Sequence, residues 1–569
     1  MSFARVIPLL RTPFGVDVFD YAVPESMALE PGDLVRVPFR RREIIGVVEA
    51  LSKTSRVAQK TLPVIGRYAD IRFPKPFLEL LEYIAHRSFS SKATVLKSWL
   101  RFVPKRVPES FQRKNRHKSD GTLSAHWSLT AESDLVTRAK KALREQKSVL
   151  VLTPWKTRVE LFKERIGSGS VLHSEISDGE TFRAWADFLN GKTSCVISTR
   201  LGAWLAPMAD LVLIDEPEND DHKQDELSPR YDARQIAAWA SRFAKIEVES
   251  FGLTPSLHTK SVGPTIDIPF SIHTFEPHGY SVIPMIQADA LEKLETTDRP
   301  ITIIHPIKGI SARLVCRDCG WRALCEHCGF PLLAEADRSL CRQCGKKYPL
   351  PLACPLCGGA DLGKSWPGIE KLKRAWNKLA PEKIVDWRTL ALEDLERPLA
   401  ESSYVFVTDS SMLGGVSEDI RRRERQWIAF RRLANRVRLV HGELAIQCHA
   451  EHAYAWSLWL TEQGLAGSQE QERNERRLFQ YPPSIRVVKI IFEDQESHLP
   501  FLEQELRDKI RPQEIRGPFS VAYRPKSRKQ RFIYHLIFPP NETESLLLDR
   551  LTPFAGRSII DLDPIAFFR

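Results

Sequence analysis

The stretch "SVLVLTP" (residues 148–154) decides the fold class of this chain. Its four consecutive apolar residues are bounded by a serine and by Thr153-Pro154, and the preceding segment "AESDLVTRAKKALREQ" (131–146) has the periodicity of an amphipathic helix. Short apolar runs that alternate with amphipathic helices are typical of parallel α/β sheets, because helices cover both faces of such sheets. The stretch therefore predicts a multidomain α/β protein.

The same alternation continues along the chain and predicts two α/β lobes in tandem, 126–290 and 298–455. Further strands expected in the first lobe are "SCVIST" (194–199), "DLVLIDE" (210–216) and "IEVESFGLTP" (246–255). Those expected in the second lobe are "ITIIHPI" (301–307), "KIVDWRT" (383–389), "SYVFVTDSS" (403–411) and "GELAIQCHA" (442–450).

Three other segments surround the lobes. Residues 1–105 combine β-like alternation with turn residues and predict an N-terminal β-rich domain. Residues 106–125 are basic and poor in apolar side chains, as in a linker. Residues 456–569 include two long β-like runs, "IRVVKIIFED" and "RFIYHLIFPP", and predict a C-terminal α+β domain.

The charge balance favours a polyanionic partner without proving one. The 569 residues include 83 Lys and Arg against 72 Asp and Glu, a formal net charge of +11. No run of 18 apolar residues and no leader-like N-terminus is present, so we expect a cytoplasmic protein without a membrane span. Cysteines in that compartment are more often metal ligands or core residues than disulfides.

A cysteine-rich block predicts two zinc ions in a module at 314–362. Eight of the ten cysteines form four CxxC pairs there, and two such pairs complete one closed four-sulfur structural site. The pairs can combine sequentially, interleaved or nested, and we favour the nested arrangement. It assigns Cys316, Cys319, Cys354 and Cys357 to zinc 1, and Cys325, Cys328, Cys341 and Cys344 to zinc 2. The two remaining cysteines, Cys195 and Cys448, lie in predicted strands and are expected in the core.

The cysteine block, "CRDCGWRALCEHCG…LCRQCGKKYPLPLACPLCGG", resembles the zinc module of the PriA family, the replication restart proteins also called primosomal protein N′. Other segments match the family in the same order: "FDYAVPE", "GDLVRVPF", "VLHSEISDGETFRAW", "STR", "LIDE", "KQDELSPRYDAR", "LTPS", "ERRLFQYPP" and "DLDPI". The resemblance implies two RecA-like lobes of the superfamily 2 helicase type around the zinc module. The family's winged helix does not fit in 106–125 and is expected to be missing.

The resemblance also implies a function in replication restart. Members of the family bind stalled or abandoned forks, D-loops and 3′ DNA ends, and initiate a primosome that reloads the replicative helicase. The implied protein partners are primosome components, the replicative helicase with its loader, and single-stranded DNA-binding protein; the implied location is the nucleoid. The 3′-end pocket of the family corresponds to Phe19, Asp20 and Tyr21, where an aromatic ring can stack on a base and a carboxylate can accept from a 3′-hydroxyl.

Several nucleotide-site motifs of the family are altered here. The position of the glycine-rich phosphate loop reads "SLTAES" (128–133), with Glu132 in place of the lysine, and carboxylates in the first turn of a helix repel a triphosphate. A lookalike, "NGKTS" (190–194), lies between a helix and a strand, which is the reverse of the phosphate-loop order. We therefore expect a degenerate, non-catalytic lobe pair without a nucleotide cofactor, as in the branch of the family that lacks Walker motifs.

Two alternatives remain open at this point. We expect Asp215 and Glu216 to be degenerate remnants of a magnesium-binding and water-activating pair, and a solvated acidic strand end is the other interpretation of these two residues. The alternative function is an active ATP-dependent 3′ to 5′ DNA helicase with a divergent nucleotide site. A zinc-ribbon scaffold that binds only proteins is a third interpretation. Four basic clusters are candidate contacts to DNA phosphates: Arg40–Arg42, residues 113–118, Arg421–Arg423, and Lys526, Arg528, Lys529 and Arg531.

Overall fold

The computed structural model of the 569-residue chain describes most of its length. The described residues are 2–55, 57–104, 120–259, 261–275, 281–283, 285–306, 312–316, 321, 323–326, 332–334, 338–341, 345–360, 362–365, 368–414, 420–521, 530–565 and 567. Among them, no helix is both long and apolar enough to cross a membrane.

The N-terminal domain is an antiparallel sheet followed by two helices. Its strands are β1 (Ser2–Pro8), β2 (Phe19–Val23), β3 (Asp33–Phe39), β4 (Arg42–Ser52) and β5 (Gly66–Arg72), in the order β2-β1-β4-β3-β5. Helices α1 (Lys75–Arg87) and α2 (Lys92–Leu100) follow. The Ser91 side chain caps α2 by accepting from the amide of Thr94, which satisfies one of the free N–H groups at the start of the helix.

The first parallel sheet has six strands. They are β6 (Leu123–Trp127), β7 (Val149–Leu152), β8 (Ser170–Leu172), β9 (Cys195–Ser198), β10 (Leu211–Asp215) and β13 (Glu247–Gly252), in the order β6-β13-β10-β7-β9-β8. The small hairpin β11 (Lys223–Gln224) and β12 (Tyr231–Asp232) follows β10. The helices are α3 (Ala131–Arg144), α4 (Lys156–Ile166), α5 (Asp178–Leu189) and α6 (Ala233–Ala244). Strand β7 is buried over its whole length, as "SVLVLTP" predicts.

The second parallel sheet has the order β14-β23-β22-β15-β21. Its strands are β14 (Phe270–Thr274), β15 (Ile301–Ile304), β21 (Val385–Arg388), β22 (Tyr404–Val407) and β23 (Glu443–Cys448). Its helices are α7 (Ala288–Thr296), α8 (Ile369–Leu379), α9 (Leu392–Leu395), α10 (Arg422–Leu439), α11 (Ala450–Leu458) and α12 (Glu462–Leu478).

The domain boundaries differ from the sequence-based ones at three places. Strand β6 begins at Leu123, inside the predicted linker, because an exposed edge strand needs no apolar run. Strand β14 lies within the predicted first lobe, 126–290, yet it pairs with β23 of the second sheet. Helix α12 lies beyond the predicted end of the second lobe at 455, but Leu465 is buried in the core of the second sheet with Trp427.

The cysteine-rich module is inserted between β15 and α8. It is a small antiparallel sheet of β16 (Ala312–Cys316), β17 (Leu333–Ala334), β18 (Arg338–Leu340), β19 (Lys347–Pro349) and β20 (Leu362–Ser365), in the order β19-β18-β17-β16-β20. Strand β20 pairs with β16 and leads into α8, so the module is entered and left at neighbouring strands.

The C-terminal domain is a four-stranded antiparallel sheet with two helices, as predicted for an α+β unit. Its elements are β24 (Arg486–Asp494), α13 (Leu499–Ile510), β25 (Glu514–Val521), β26 (Gln530–Phe538), α14 (Glu544–Leu551) and β27 (Ser558–Leu562), with the strand order β25-β26-β24-β27. Phe89, which follows α1, is buried in the core of this domain. The N-terminal domain also shares a continuous core with the first parallel sheet, through Phe77, Trp99 and Trp204.

Candidate functional site

Phe19, Asp20 and Tyr21 open strand β2, at the edge of the N-terminal sheet. Neighbouring residues of a strand point to opposite faces. Phe19 and Tyr21 accordingly pack toward one hydrophobic cluster, whereas Asp20 accepts a 2.5 Å hydrogen bond from Ser55 Oγ. The structure thus places the three residues together in the chain but does not bring all three side chains to one face.

Tyr21 is a core residue of the N-terminal domain. Its ring is 5% exposed, and its hydroxyl donates to the carbonyl oxygen of Pro38 at 3.1 Å. Burial raises the pKa of Tyr21 to about 12. We therefore assign this side chain to the core of the domain and look to its neighbours for exposed contact surface.

An aromatic and basic surface lies next to Phe19. The rings of Phe19 and Phe39 are edge-on, with centroids 5.3 Å apart, and the Arg40 guanidinium lies 5.8 Å from the centroid of Phe39. Arg40 turns the chain from β3 to β4 with a positive φ of 55° and is exposed. Stacking rings beside an arginine suit a nucleotide, because they offer a surface for the base and a cation for its phosphate. The basic-cluster prediction included Arg40, but its contact with Phe39 depends on the fold of the turn.

The other basic clusters have different surroundings. Arg421 pairs with Asp220, Arg422 donates to the carbonyl oxygen of Ser411, and Arg423 pairs with Glu475, so all three take part in contacts within the chain. Arg531 pairs with Glu493. Residues 113–118, Lys526, Arg528 and Lys529 lie outside the described residues.

Three cysteines of the predicted zinc 1 set lie together. The sulfur atoms of Cys316, Cys354 and Cys357 are all within 4.8 Å of one another. The distance between the sulfurs of Cys316 and Cys357 is 3.7 Å. Tetrahedral zinc with Zn–S bonds of about 2.3 Å separates its sulfur ligands by about 3.8 Å, so this donor set fits zinc. The fourth residue of the set, Cys319, lies outside the described residues.

The backbone around Cys354 and Cys357 is already folded as a metal-binding knuckle. The amide of Leu356 donates to Cys354 Sγ and that of Gly359 to Cys357 Sγ, both at 3.4 Å. Gly358 has a φ of 73° and donates to the carbonyl oxygen of Cys354, so glycine closes the turn. Amides that point at sulfur stabilise thiolates, which are the form that binds metal.

Of the predicted zinc 2 set, the structure describes Cys325 and Cys341. Both are buried in one small cluster, and the Tyr348 hydroxyl lies 3.1 Å from Cys325 Sγ. Gly345 closes the turn after Cys341 as Gly358 does after Cys354. Cys328 and Cys344 lie outside the described residues. Cys195 and Cys448 are buried in β9 and β23, as expected for core residues.

Asp215 and Glu216 lie at the carboxyl end of β10, where they meet a buried arginine. Arg158 of α4 donates from Nε to Asp215 Oδ2 at 2.5 Å and from Nη2 to Asp215 Oδ1 at 2.7 Å. Its Nη1 lies 3.1 Å from Glu132 and 3.5 Å from Glu216. A guanidinium therefore occupies the space between the three carboxylates, where a divalent cation would otherwise balance their charge.

A second arginine, from helix α10 of the unit built on the second sheet, also contacts this cluster. Arg432 of α10 lies 3.3 Å from Glu216 and stacks on the Trp155 ring, 4.3 Å from its centroid. Arg165 also pairs with Glu132. Three guanidinium groups thus face these three carboxylates, and Arg432 also pairs with Glu396.

The pKa values of the cluster reflect burial and charge together. Burial raises the pKa of Asp215 to about 7 against the opposing effect of Arg158. Burial also acts to raise the pKa of Glu216, but the guanidinium groups of Arg432 and Arg158 outweigh it and lower that pKa. Nearby Glu218 is buried, and its pKa is raised to about 8 by burial and by the charges of Glu216 and Asp215.

The start of α3 offers carboxylates rather than phosphate ligands. Glu132 and Asp134 lie in its first turn, and Asp134 accepts from Ser128 Oγ at 2.6 Å and from Thr130 Oγ1 at 3.0 Å. Carboxylates at this end interact favourably with the helix dipole and take the place that an anionic ligand would need. Lys192 is exposed in the turn between α5 and β9, as expected for a lookalike motif.

Comparison with known proteins gives matches in the N-terminal domain and along much of the chain. Residues 9–101 match the PriA family model described as "3'DNA-binding domain (3'BD)". The chain is also similar to "Replication restart protein PriA" of Chlamydia pneumoniae, with 25% identity over 525 residues, covering 77% of this chain and 68% of that protein. The chain is therefore similar to PriA proteins over most of its length.

Two further PriA proteins illustrate how far the similarity extends. The Rickettsia conorii protein is 24% identical over 440 residues, which cover 66% of each chain. The Bacillus subtilis protein is 26% identical over 271 residues, or 42% of this chain and 33% of that protein. The chain thus spans between a third and about two thirds of the length of these PriA relatives.

Two segments that resemble PriA motifs meet at a domain interface. Lys223, from "KQDELSPRYDAR", donates to Asp561 Oδ1 at 2.7 Å and to the carbonyl oxygens of Leu562 and Asp563, in "DLDPI". Asp563 also accepts from Arg87 of the N-terminal domain at 2.8 Å. These PriA-like segments therefore join the N-terminal domain, the first sheet and the C-terminal domain.

Arg158 is the important residue that the sequence did not reveal. It lies in "KTRVELFKERI", an ordinary helical segment with several charged residues. Arg158 is buried because α4 packs beside β10 and α3, which carry its partners Asp215 and Glu132. The only sequence signal is indirect: three acidic residues expected around one site need cations nearby.

Proposed function

We propose that the chain is a replication restart protein. It binds stalled or abandoned replication forks and D-loops through their 3′ DNA ends and initiates assembly of the primosome that reloads the replicative helicase. The match of residues 9–101 to the 3′ DNA-binding domain and the similarity to PriA proteins over most of the chain support this proposal. The partners that follow are branched DNA, primosome components, the replicative helicase and its loader, and single-stranded DNA-binding protein.

Phe19 and Asp20 are the proposed contacts to the 3′ end. Phe19 belongs to the aromatic and basic surface with Phe39 and Arg40, which suits an unstacked base. The carboxylate of Asp20 lies on the other face of the strand, at the edge of the sheet, and could accept from a 3′-hydroxyl in place of Ser55. Tyr21 supports both by fixing β2 against β3.

We further propose that the protein works without helicase activity. The observation that carries this is the bidentate pair between Arg158 and Asp215, because both oxygen atoms of a carboxylate that would hold magnesium are bonded to the guanidinium. The acidic first turn of α3 supports it, since Glu132 and Asp134 repel phosphate where a phosphate loop would supply N–H groups and a lysine.

Two structural zinc ions complete the proposal. The sulfur separation of 3.7 Å between Cys316 and Cys357 and the position of Cys354 favour the nested pairing for zinc 1. Zinc 2 would then take Cys325, Cys328, Cys341 and Cys344. Bound zinc would crosslink a module whose hydrophobic cluster is small, and four sulfur ligands leave no open position for catalysis.

The test combines DNA binding with ATP hydrolysis on the same preparation. Purified protein is titrated with a labelled fork that carries a 3′-hydroxyl leading-strand end, and with the same fork blocked by a 3′-phosphate. We expect tighter binding to the hydroxyl end, affinity that falls with salt, and no fork-stimulated phosphate release. Fork-stimulated hydrolysis that survives Lys192→Ala and is lost in Asp215→Ala would instead favour an active helicase. Absence of salt-dependent DNA binding would favour a scaffold that binds only proteins.

A further inference from the structure

One face of helix α10 carries a row of polar residues into the interface between the two parallel sheets. Each of these residues has others of the row three, four or seven positions away, so they share one side of the 18-residue helix, which is about 27 Å long. The row begins at the N-cap residue Arg421 and continues with Glu424, Arg425, Arg431, Arg432, Asn435 and Arg438. Amphipathic helices usually bury their apolar face, so a row of polar residues that is buried at Glu424 and Arg431 and partly buried elsewhere needs a specific set of partners.

Two carboxylates of the unit built on the first sheet are partners of this row. Asp220 accepts from Arg421 at 2.7 Å and from Arg425 at 2.9 Å, and so joins two turns of the helix. Glu216 pairs with Arg432 at 3.3 Å. Because each carboxylate contacts α10 from the other unit, these pairs cross the interface and stabilise one relative position of the two sheets.

Backbone groups extend the same row at both ends. Glu424 is buried and accepts from the amide of Leu257 at 3.0 Å. The carbonyl oxygen of Leu129 accepts from Asn435 at 3.3 Å and from Arg438 at 3.4 Å. A hydrogen bond from a side chain to a fixed backbone group restricts geometry more than a pair between two flexible side chains. The row therefore restricts the position of α10 along its axis as well as its distance from the first unit.

The buried arginine of the row connects three segments. Arg431 is fully buried and donates from Nε to Thr254 Oγ1 at 3.1 Å, and to the carbonyl oxygens of Trp459 and Pro264 at 2.6 and 2.5 Å. Pro264 lies in the segment that connects the sheets, and Thr254 follows β13 of the first sheet. The guanidinium thus fixes the connecting segment against both units.

We infer that this row of α10 is a permanent brace, which holds the two parallel-sheet units in one arrangement without any nucleotide. Arg158, Arg165 and Arg432 pair with Glu132, Asp215 and Glu216 from within the chain, so the protein itself supplies positive charge where a bound metal ion would otherwise do so. The inference rests on the proposed function in one respect, namely that no nucleotide competes for Asp215 and Glu216. Its consequence is a static platform for DNA rather than a pair of moving lobes.

The experiment measures amide hydrogen exchange in the full-length protein with and without Mg-ATP and forked DNA. The variant Glu216→Gln/Asp220→Asn removes both acidic partners of α10, and Asp386→Asn is the matched control, since it removes an arginine pair inside the second unit. We expect exchange in 253–259 and 421–438 to be at least about tenfold faster in the double variant and unchanged in the control, with Mg-ATP having no effect on the wild type. Wild-type exchange rates in a folded double variant would overturn the brace.

Two further measurements distinguish a failure of the brace from a failure of the proposed function. If the double variant does not fold, the single variants Asp220→Asn and Arg425→Gln are compared with their combination, and strictly additive effects on exchange would also overturn the brace. A fluorescent ATP analogue is titrated into the same samples. Nucleotide binding that leaves exchange unchanged would contradict the proposed loss of the nucleotide site but not the brace, whereas absent binding with wild-type exchange in the variants would contradict the brace alone.

Discussion

The guanidinium of Arg158 and the carboxylate of Asp215 form two hydrogen bonds, of 2.5 and 2.7 Å, inside the unit built on the first parallel sheet. The side chains of both residues are almost completely buried. A buried ion pair contributes little net stability over an apolar pair, but removing one partner is costly, because the other charge stays behind without compensation.

Replacing Arg158 should therefore destabilise the fold strongly. We expect Arg158→Gln to lower the free energy of unfolding by about 3–5 kcal/mol, because Asp215 and Glu216 would be left buried beside each other. The control is Arg165→Gln, whose side chain is 45% exposed and should cost less than about 1 kcal/mol. Denaturant titration of both variants measures the difference, and equal costs would contradict the assigned role.

The aromatic surface of the N-terminal domain can be tested by substitution. We expect Phe19→Ala to weaken binding to a 3′-ended fork by roughly tenfold or more, since a stacked base contributes about 1–3 kcal/mol. Leu62→Ala, which removes a half-exposed apolar side chain of the same domain, serves as the control. Fluorescence anisotropy gives both affinities. Equal loss in the two variants would exclude a specific stacking role.

The metal content tests the pairing of the cysteines. We expect about two zinc ions per wild-type chain, about one in Cys357→Ser, and about two in Cys448→Ala, because Cys448 lies in β23 of the second sheet. Elemental analysis by mass spectrometry of folded, gel-filtered protein counts them. Two retained zinc ions in Cys357→Ser would contradict the assignment of Cys357 to zinc 1.

Glu218 should make stability depend on pH. Its pKa is raised to about 8 in the folded protein from an ordinary value near 4.5, by burial and by nearby Glu216 and Asp215, and its Oε2 has no hydrogen-bond partner among the described residues. The folded state therefore holds a proton that the unfolded chain releases above about pH 4.5. The stabilising contribution is complete below that value and is lost as the pH rises through about 8.

The variant Glu218→Gln mimics the protonated side chain and should not show this loss. We expect its melting temperature to rise relative to the wild type between pH 5 and pH 9, by an amount equivalent to about 2–4 kcal/mol. Glu292→Gln, on the exposed side of α7, is the control. A constant difference across this pH range would show that Glu218 is not the group responsible.

The sequence was sufficient to predict features that depend on a single strand, helix turn or cysteine motif. The apolar run in "SVLVLTP" is sufficient to predict a buried parallel strand, and the spacing of the cysteines is sufficient to predict a metal module. Glu132 could be recognised as unsuited to phosphate because the position of a residue in the first turn of a helix sets its electrostatic effect.

Features that depend on two distant elements could not be predicted in this way. The burial of Arg158 requires β10 and α3 to approach α4, and nothing in "KTRVELFKERI" distinguishes this arginine from its exposed neighbours. Strand β14 was placed in the wrong unit because the choice between two sheets depends on the free edge beside β23. The pairing of Arg421 with Asp220, 201 residues away, could not be predicted from the charge of Arg421 alone.

The contact between Lys223 and Asp561 has a consequence for biosynthesis. Asp561 is translated 338 residues after Lys223, and Asp563 is translated 476 residues after Arg87. Lys223 and Arg87 therefore lack these two carboxylate partners until the C-terminal strand has been synthesised. This interface is completed only at the end of synthesis, and a chain whose translation stops before residue 561 would leave both cations without these partners.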